Sequence, residues 1–582
     1  MLSRVLSSLI RRPDRGAAIE RRWDDVVEQA EQALTRGDLQ RAQTLLENAL
    51  HNGCESARVR RMLGSILGAG GHLERARVEL ERALDIEPDH SAALTDLGNV
   101  HRLSGRTEEA RTCYLRALSQ DPDNAAIRFS LATIDDQAGR TEAAIGALRS
   151  LIEYPAYPEA VRALAEILDR IGQAAEAKSA CLEILSREPD HALAHAVLGF
   201  LLLKRDLQPR QALERFDRAI ALGHADAELW SNRGIALQDL GRLDEAIGSY
   251  ETALRIKPDH RLAAFHRSLA LLMRSDFARA WPDYELRLLS EDRPKPPRSF
   301  PAWDGESLPE GALFVHGEQG IGDEIMFASC LPDLLAIQPA TVIACTAKLE
   351  PIFRRSFPGA KVISLQHATE PAADSQFADV KAMTPIGSMP RHFRPSRESF
   401  PRHTGYLVAD PRLVEEYRAR LGCLGAAPKI GISWRGGSIL TRQALRTLDA
   451  EQLAQLLSTP GVQFVDLQYD SRPQDDGIEP ALTEGKLVHW QDALDDYDRT
   501  AALVCALDSI VSVCTALIHL GGALGRPVLV MAPHSPEWRY GISGESMPWY
   551  PSVHIERQPT AGDWNSVILA VQRRLAERNY LG

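Results

Sequence analysis

Three short stretches combine glycine with charged or polar residues in spacings suited to chemistry. The first is His316-Gly-Glu-Gln-Gly-Ile-Gly-Asp-Glu324. Its glycines let the backbone turn tightly and approach a ligand, with Glu318, Gln319, Gly320 and Gly322 in the turn. The helical run that follows presents unsatisfied amides at its start. Asp323 lies at that start, where a carboxylate either does chemistry or simply caps the helix. The stretch is neither a Walker A motif nor a G-x-G-x-x-G fingerprint. The second is Trp434-Arg435-Gly436-Gly-Ser438, followed by Arg442 and Arg446. Glycine clearance and two-pronged guanidinium donors suit a diphosphate; a solvated basic loop is the plain alternative. In the third, Ser509 to Pro527, a β-rich run passes straight into a small-residue helix. Thr515 and Ala516 fall at the helix N-terminus, where amides and dipole favour an anion. His519 follows Thr515 by four residues and shares its helix face.

These stretches need strands that end beside one another. The runs 312–316, 341–346, 361–365, 429–434, 462–467, 509–513 and 527–532 read as buried parallel strands. Helical runs at 323–336, 449–457, 499–507, 516–524 and 563–578 alternate with them. The alternation predicts an α/β fold, with one Rossmann-like half at 311–428 on the acceptor side and a second at 429–582 on the donor side. Open parallel sheets bind ligands at strand carboxyl ends, where all three stretches lie.

The preceding half has a different period. Units begin near Trp23, Ala57, Ser91, Ala125, Pro158, Ala192 and Ala227, at intervals of 34, 34, 34, 33, 34 and 35 residues. A degenerate eighth starts near Arg261, with Ala280 and Tyr284 in register. Small residues recur where two helices cross, Gly-Arg or Gly-His pairs part the helices, and Pro-Asp closes many units. This pattern resembles the tetratricopeptide repeat and predicts an all-α solenoid over 23–289. Residues 1–22 read as a flexible tail, and 290–310, rich in proline near its start, as a linker. Such an array offers a concave face to a protein partner, or supports self-association. In the repeat-bearing protein O-GlcNAc transferases, asparagines at the sixth position of successive units clamp a peptide. Here those positions are Met62, Asp96, Ser130, Ala163, Val197 and Asn232, which makes no such ladder.

The 582-residue composition excludes two classes. A net charge of −12 argues against general nucleic-acid binding, and no run of about 18 apolar residues forms a transmembrane segment. The eight cysteines are dispersed with no C-x-x-C pair, so reduced thiols in a cytoplasmic protein are expected. Three arginines among the apolar residues of 1–12 leave a membrane-peripheral segment as the alternative.

Taken in order, Gly320-Ile-Gly-Asp323, Trp434-Arg435-Gly-Gly and Cys514-Thr-Ala-Leu-Ile-His519-Leu-Gly-Gly-Ala-Leu-Gly resemble glycosyltransferase family 9, the lipopolysaccharide heptosyltransferase type. More closely, with Phe277-Ala-Arg-Ala-Trp281, Trp303-Asp-Gly-Glu and Trp549-Tyr550-Pro551, the chain is similar to bacterial proteins joining tetratricopeptide repeats to such a domain. The resemblance implies a metal-independent GT-B enzyme without a cofactor. It would move a sugar from a nucleotide-diphosphate sugar to a glycan or protein acceptor. Asp323 falls at the family's general base. Arg435, Gly436, Arg446, Thr515, Ala516 and His519 fall on the donor side. One departure is Cys514, where the family has Asp; a thiol cannot accept two strong hydrogen bonds as a carboxylate does. A helix N-terminus can lower a thiol pKa, which would make Cys514 a nucleophile, but no base for it is identifiable. The rival reading is a non-catalytic repeat scaffold with a degenerate transferase half.

Overall fold

The computed structural model describes residues 23–152, 157, 159–290, 295–437, 443–470, 477–578 and 580. The predicted tail at 1–22 lies outside them. The chain is an all-helical repeat solenoid followed by parallel sheets, as its two periodicities predict. It divides into two compact units, Met1–Ala225 and Asp226–Gly582.

Six helical pairs make up the described part of the first unit, from Asp24–Thr35 with Leu39–His51 to Ala192–Lys204 with Pro209–Ala221. Pairing depends on small residues at the crossing. At Gly98, a Cβ would lie 2.6 Å from the Tyr114 ring, which is fully buried. The Pro-Asp signature has a sequel that the sequence reading missed. The next residue is the N-cap of the following helix, and it is often histidine. Nδ1 of His90 accepts from the Ala93 amide at 3.3 Å, and Nδ1 of His191 from the Ala194 amide at 3.1 Å. Ion pairs between neighbouring repeats recur along the unit: Arg106–Glu74, Arg140–Glu108 and Arg170–Asp136.

The last two pairs belong to the second unit. Ala227–Asp239 packs on Leu243–Ile256, and α1 (Arg261–Met273) on α2 (Phe277–Tyr284). Pro282 lies inside α2, which passes into a 3₁₀ turn at Glu285–Leu289. The cap recurs here, with His260 Nδ1 accepting from Ala263.

Two sheets follow. The first has the order β3-β2-β1-β4, with β1 Ala312–His316, β2 Thr341–Cys345, β3 Lys361–Ser364 and β4 Val380–Pro385, all parallel. The second has the order β10-β11-β9-β8-β5-β6-β7. Its strands are β5 Lys429–Ser433, β6 Gln463–Asp466, β7 Leu487–Val488, β8 Ser509–Val513, β9 Val528–Ala532, β10 Ser546–Met547 and β11 Tyr550–Arg557. Only β10 runs antiparallel. β5, β8 and β9 are buried at every residue, as strands covered on both faces must be.

The seven predicted strands are present, and β4, β7, β10 and β11 are additional. The helix predicted over 323–336 is broken. α3 (Ile321–Phe327) passes through a 3₁₀ turn to Leu331–Ile337. Pro332 cannot donate the amide that a continuous helix requires there.

Candidate functional site

The site is assembled where α3 and α4 (Ala516–Ala523) pack against each other. α3 follows β1, and α4 follows β8. A Cβ on Gly322 would lie 3.1 Å from the His519 ring and 3.3 Å from the Ala516 backbone. Glycine at this position therefore lets the first and third stretches meet.

Asp323 is the third residue of α3, and the N-cap is Gly320, so the capping alternative is not realised. Instead the Asp323 carboxylate pairs with Arg539, whose Nε donates to Oδ1 at 2.8 Å and whose Nη2 donates to the same oxygen. Among the described residues Oδ2 accepts no hydrogen bond. The neighbouring Glu324 turns inward, fully buried, and accepts from the amide and hydroxyl of Thr346. Burial raises its pKa, and those two bonds oppose the rise.

Glu318 and Gln319 are tied to the last repeat. Arg287 donates to Glu318 at 2.6 Å, with the two side chains only 7% and 2% exposed. The same guanidinium donates to Ser388 Oγ at 2.8 Å, and the Tyr284 hydroxyl donates to Gln319 Oε1 at 3.2 Å. The expected open acceptor-side loop is thus half engaged by groups from the repeat end; of its members, Gly320 has the most room.

The second stretch leaves β5 and is held by Gln468, which is fully buried. Gln468 Oε1 accepts from the amides of Trp434 and Arg435, and its Nε2 donates to the Arg435 carbonyl. Arg435 pairs with Asp470 at 3.1 Å. Gly436 lies against the third stretch: a Cβ there would meet the Cys514 carbonyl oxygen at 2.7 Å and Thr515 Cγ2 at 2.9 Å. Arg446 is buried, donating to the Cys514 carbonyl at 3.3 Å and pairing with Glu537 at 2.6 Å. Ser438 and Arg442 lie outside the described residues.

Thr515 is the N-cap of α4, its hydroxyl accepting from the Leu517 amide at 3.2 Å. His519 lies one turn further, with Nδ1 at 3.2 Å from the Tyr550 hydroxyl. Burial, with Arg539 nearby, drives its pKa down to about 3, so the ring is neutral. Cys514 is also buried, and burial pushes its thiol up to about 12. Desolvation outweighs the helix terminus here, and the conceivable thiolate nucleophile is excluded.

Two central residues were missed by the sequence reading. Arg539 pairs with Asp323 and lies 3.5 Å from Glu537, which in turn pairs with Arg446. The result is a chain of alternating charge, Asp323–Arg539–Glu537–Arg446, joining residues of the first and second sheet regions. Burial disfavours the Arg539 cation, yet Asp323 and Glu537 outweigh it and hold its pKa above the ordinary guanidinium value. The available signal was position: Glu537-Trp-Arg539 follows β9 as the other stretches follow their strands. Aromatic rings flank this chain. Trp538 meets Trp281 and Tyr284 of α2 edge-on at 6.2 and 5.7 Å, and Trp549 meets Phe400 at 4.8 Å. Among the described residues, no group of three or more His, Cys, Asp or Glu is placed to hold a metal ion. No helix described is long and apolar enough to cross a membrane.

Family models described as tetratricopeptide repeat match residues 27–92, 69–134, 137–199 and 227–260. The helical segment is therefore a tetratricopeptide-repeat array. Protein FlbA of Caulobacter vibrioides is 29% identical over 440 residues, spanning 72% of this chain and 73% of its own. Human Protein O-mannosyl-transferase TMTC3 is 32% identical over 116 residues, 20% of this chain and 12% of its own. Among solved structures, yeast Tom70 aligns at 16% identity with a TM-score of 0.40, covering 50% of this chain and 66% of its own.

Proposed function

We propose that the α/β region is a glycosyltransferase of the GT-B type resembling family 9. It would transfer a sugar from a nucleotide-diphosphate donor to a glycan or protein acceptor, with the repeats engaging acceptor or partner. The observation that carries the reading is Asp323. Its carboxylate is mostly buried, fixed through Oδ1 by Arg539, open at Oδ2, and set beside the N-terminal turn of α4. In this reading Oδ2 takes the proton of an acceptor hydroxyl as that oxygen bonds to the anomeric carbon. The bond from that carbon to the diphosphate breaks, and a nucleoside diphosphate leaves with the electron pair. Arg435, Arg446 and the amides at Thr515 and Ala516 would stabilise the charge it gathers. His519, neutral and held by Tyr550, would shape the donor side. The partial match to relatives named as O-mannosyl-transferases lends weak support, given the small share of each chain involved.

A panel of nucleotide sugars, assayed for hydrolysis and transfer, tests this reading. One donor should turn over, and Asp323→Asn should lower the rate by roughly a hundredfold or more while nucleoside diphosphate still raises the melting temperature. Absence of turnover across the panel, with an unchanged glycan profile in cells carrying Asp323→Asn, would overturn it. A second reading is a binding protein without chemistry. It is favoured by the counter-charges: Arg435 is already paired with Asp470, and Arg446 with Glu537. Nucleotide binding without turnover is its signature.

A further inference from the structure

A cavity of about 220 Å³ lies between the turn joining α1 to α2 and the segment 538–549. Its wall includes Arg274, Arg397 and Arg539, the hydroxyl residues Ser275, Ser543 and Ser546, and no Asp or Glu. Three guanidinium groups thus border one small space whose wall carries no carboxylate. Arg274 pairs with Asp244 and Asp276, and Arg539 with Asp323 and Glu537. Arg397 is exposed and, among the described residues, makes no side-chain hydrogen bond or ion pair. Its donors are free for a ligand.

Ser275 points the same way. It holds φ 65° in the turn between α1 and α2. Six earlier repeats place glycine at the matching turn with similar φ, at Gly37, Gly71, Gly105, Gly139, Gly172 and Gly241; Gly241 precedes Ser275 by one period. A left-handed non-glycine residue is strained. Leu207 shares the departure, but Ser275 places a hydroxyl-bearing residue on the cavity wall.

We propose that this cavity is an anion-binding subsite, taking a single carboxylate or phosphate group carried by the acceptor. Its volume lies below the roughly 300–1,000 Å³ of sites for drug-sized ligands, so it fits one such group and not a nucleotide. Planar guanidinium groups supply paired donors to either anion. Arg539 borders the cavity and also holds Asp323 Oδ1, so an anion seated there lies one side chain away from the proposed base. Anion capture needs nothing from the glycosyl-transfer reading; assigning the anion to the acceptor does rest on it.

The test is calorimetric titration of the full chain with inorganic phosphate and with glucuronate, in the wild type, Arg397→Glu and Ser275→Gly. The wild type binds at least one anion, and the choice between them names the acceptor's acidic group. Arg397→Glu weakens that binding roughly tenfold or more, while a nucleoside diphosphate still binds as in the wild type. Ser275→Gly relieves backbone strain, so it should unfold at a higher temperature and yet bind the anion less tightly. Anion binding that is absent in the wild type, or unchanged in Arg397→Glu, overturns the subsite. Absence of nucleoside diphosphate binding in the wild type would instead count against the transferase reading and leave the anion result standing.

Discussion

The repeats and the α/β region both depend on arginine–carboxylate pairs, but in opposite settings. Arg106–Glu74 and Arg140–Glu108 join neighbouring repeats with side chains 34–69% exposed. Water and salt screen such pairs, and each holds two long side chains in one geometry, so each contributes little. They recur, and losing one leaves the rest. Around the site the pairs do not recur. Arg287–Glu318 is almost wholly buried, and Asp323–Arg539 has side-chain exposures of 16% and 14%. A buried pair adds little over apolar packing, but removing one partner strands a desolvated charge. The repeats thus use charge as many weak and replaceable contacts; the site uses few contacts that fail singly.

The sharpest break of this comparison is Arg287→Ala, which removes the buried guanidinium shared by Glu285, Glu318 and Ser388. Denaturant unfolding should show a loss of about 3–5 kcal/mol, and a loss below about 1 kcal/mol would erase the distinction. Next is the acid limb of stability. His519 binds a proton near pH 6.5 when unfolded but only near pH 3 when folded. As pH falls below about 6.5 the unfolded chain gains a proton that the folded chain refuses, so stability drops toward pH 3. By pH 4 the loss is roughly 3 kcal/mol. His519→Gln should flatten that limb in melts taken across pH, and an unchanged slope would remove His519 as its source. Gly98→Ala should cost about 1–3 kcal/mol by overpacking against Tyr114, showing that helix crossings, not surface charges, are the fragile points of the repeats. The smallest effect is Arg106→Ala, which should leave the melting temperature nearly unchanged, and more so in high salt; a clear loss would mean that the exposed pairs act as a coupled network.

How far the sequence could be read follows this same divide. A repeat writes its contacts within one period, so Gly98 and the interhelix turns announce themselves. Strands buried on both faces, such as β5 and β8, are continuous apolar runs and are equally plain. β4 alternates, with Lys381 exposed, and ends at Pro385, while β11 carries Pro551 as its second residue; each proline masks a strand. At the site, glycine-rich turns disclosed Asp323, Gly436 and Thr515. Their partners stayed hidden: Arg539 stands 216 residues beyond Asp323, and an isolated arginine in a loop carries no period. Arg287 was hidden for a different reason, as the end of one architecture reaching into the other.

That reach also governs how the chain would respond to being cut. The Trp281 indole donates to the Arg394 carbonyl at 2.7 Å, from before the proline-rich connection to well after it. On the far side Arg298 donates to the Ala368 carbonyl at 2.8 Å, and the Trp303 amide to that of Met383 at 2.8 Å. A protease nicking the connection would therefore produce two fragments that migrate apart only after denaturation. The chain is held together on both sides of that connection, and the structural border of the second unit falls within the repeats.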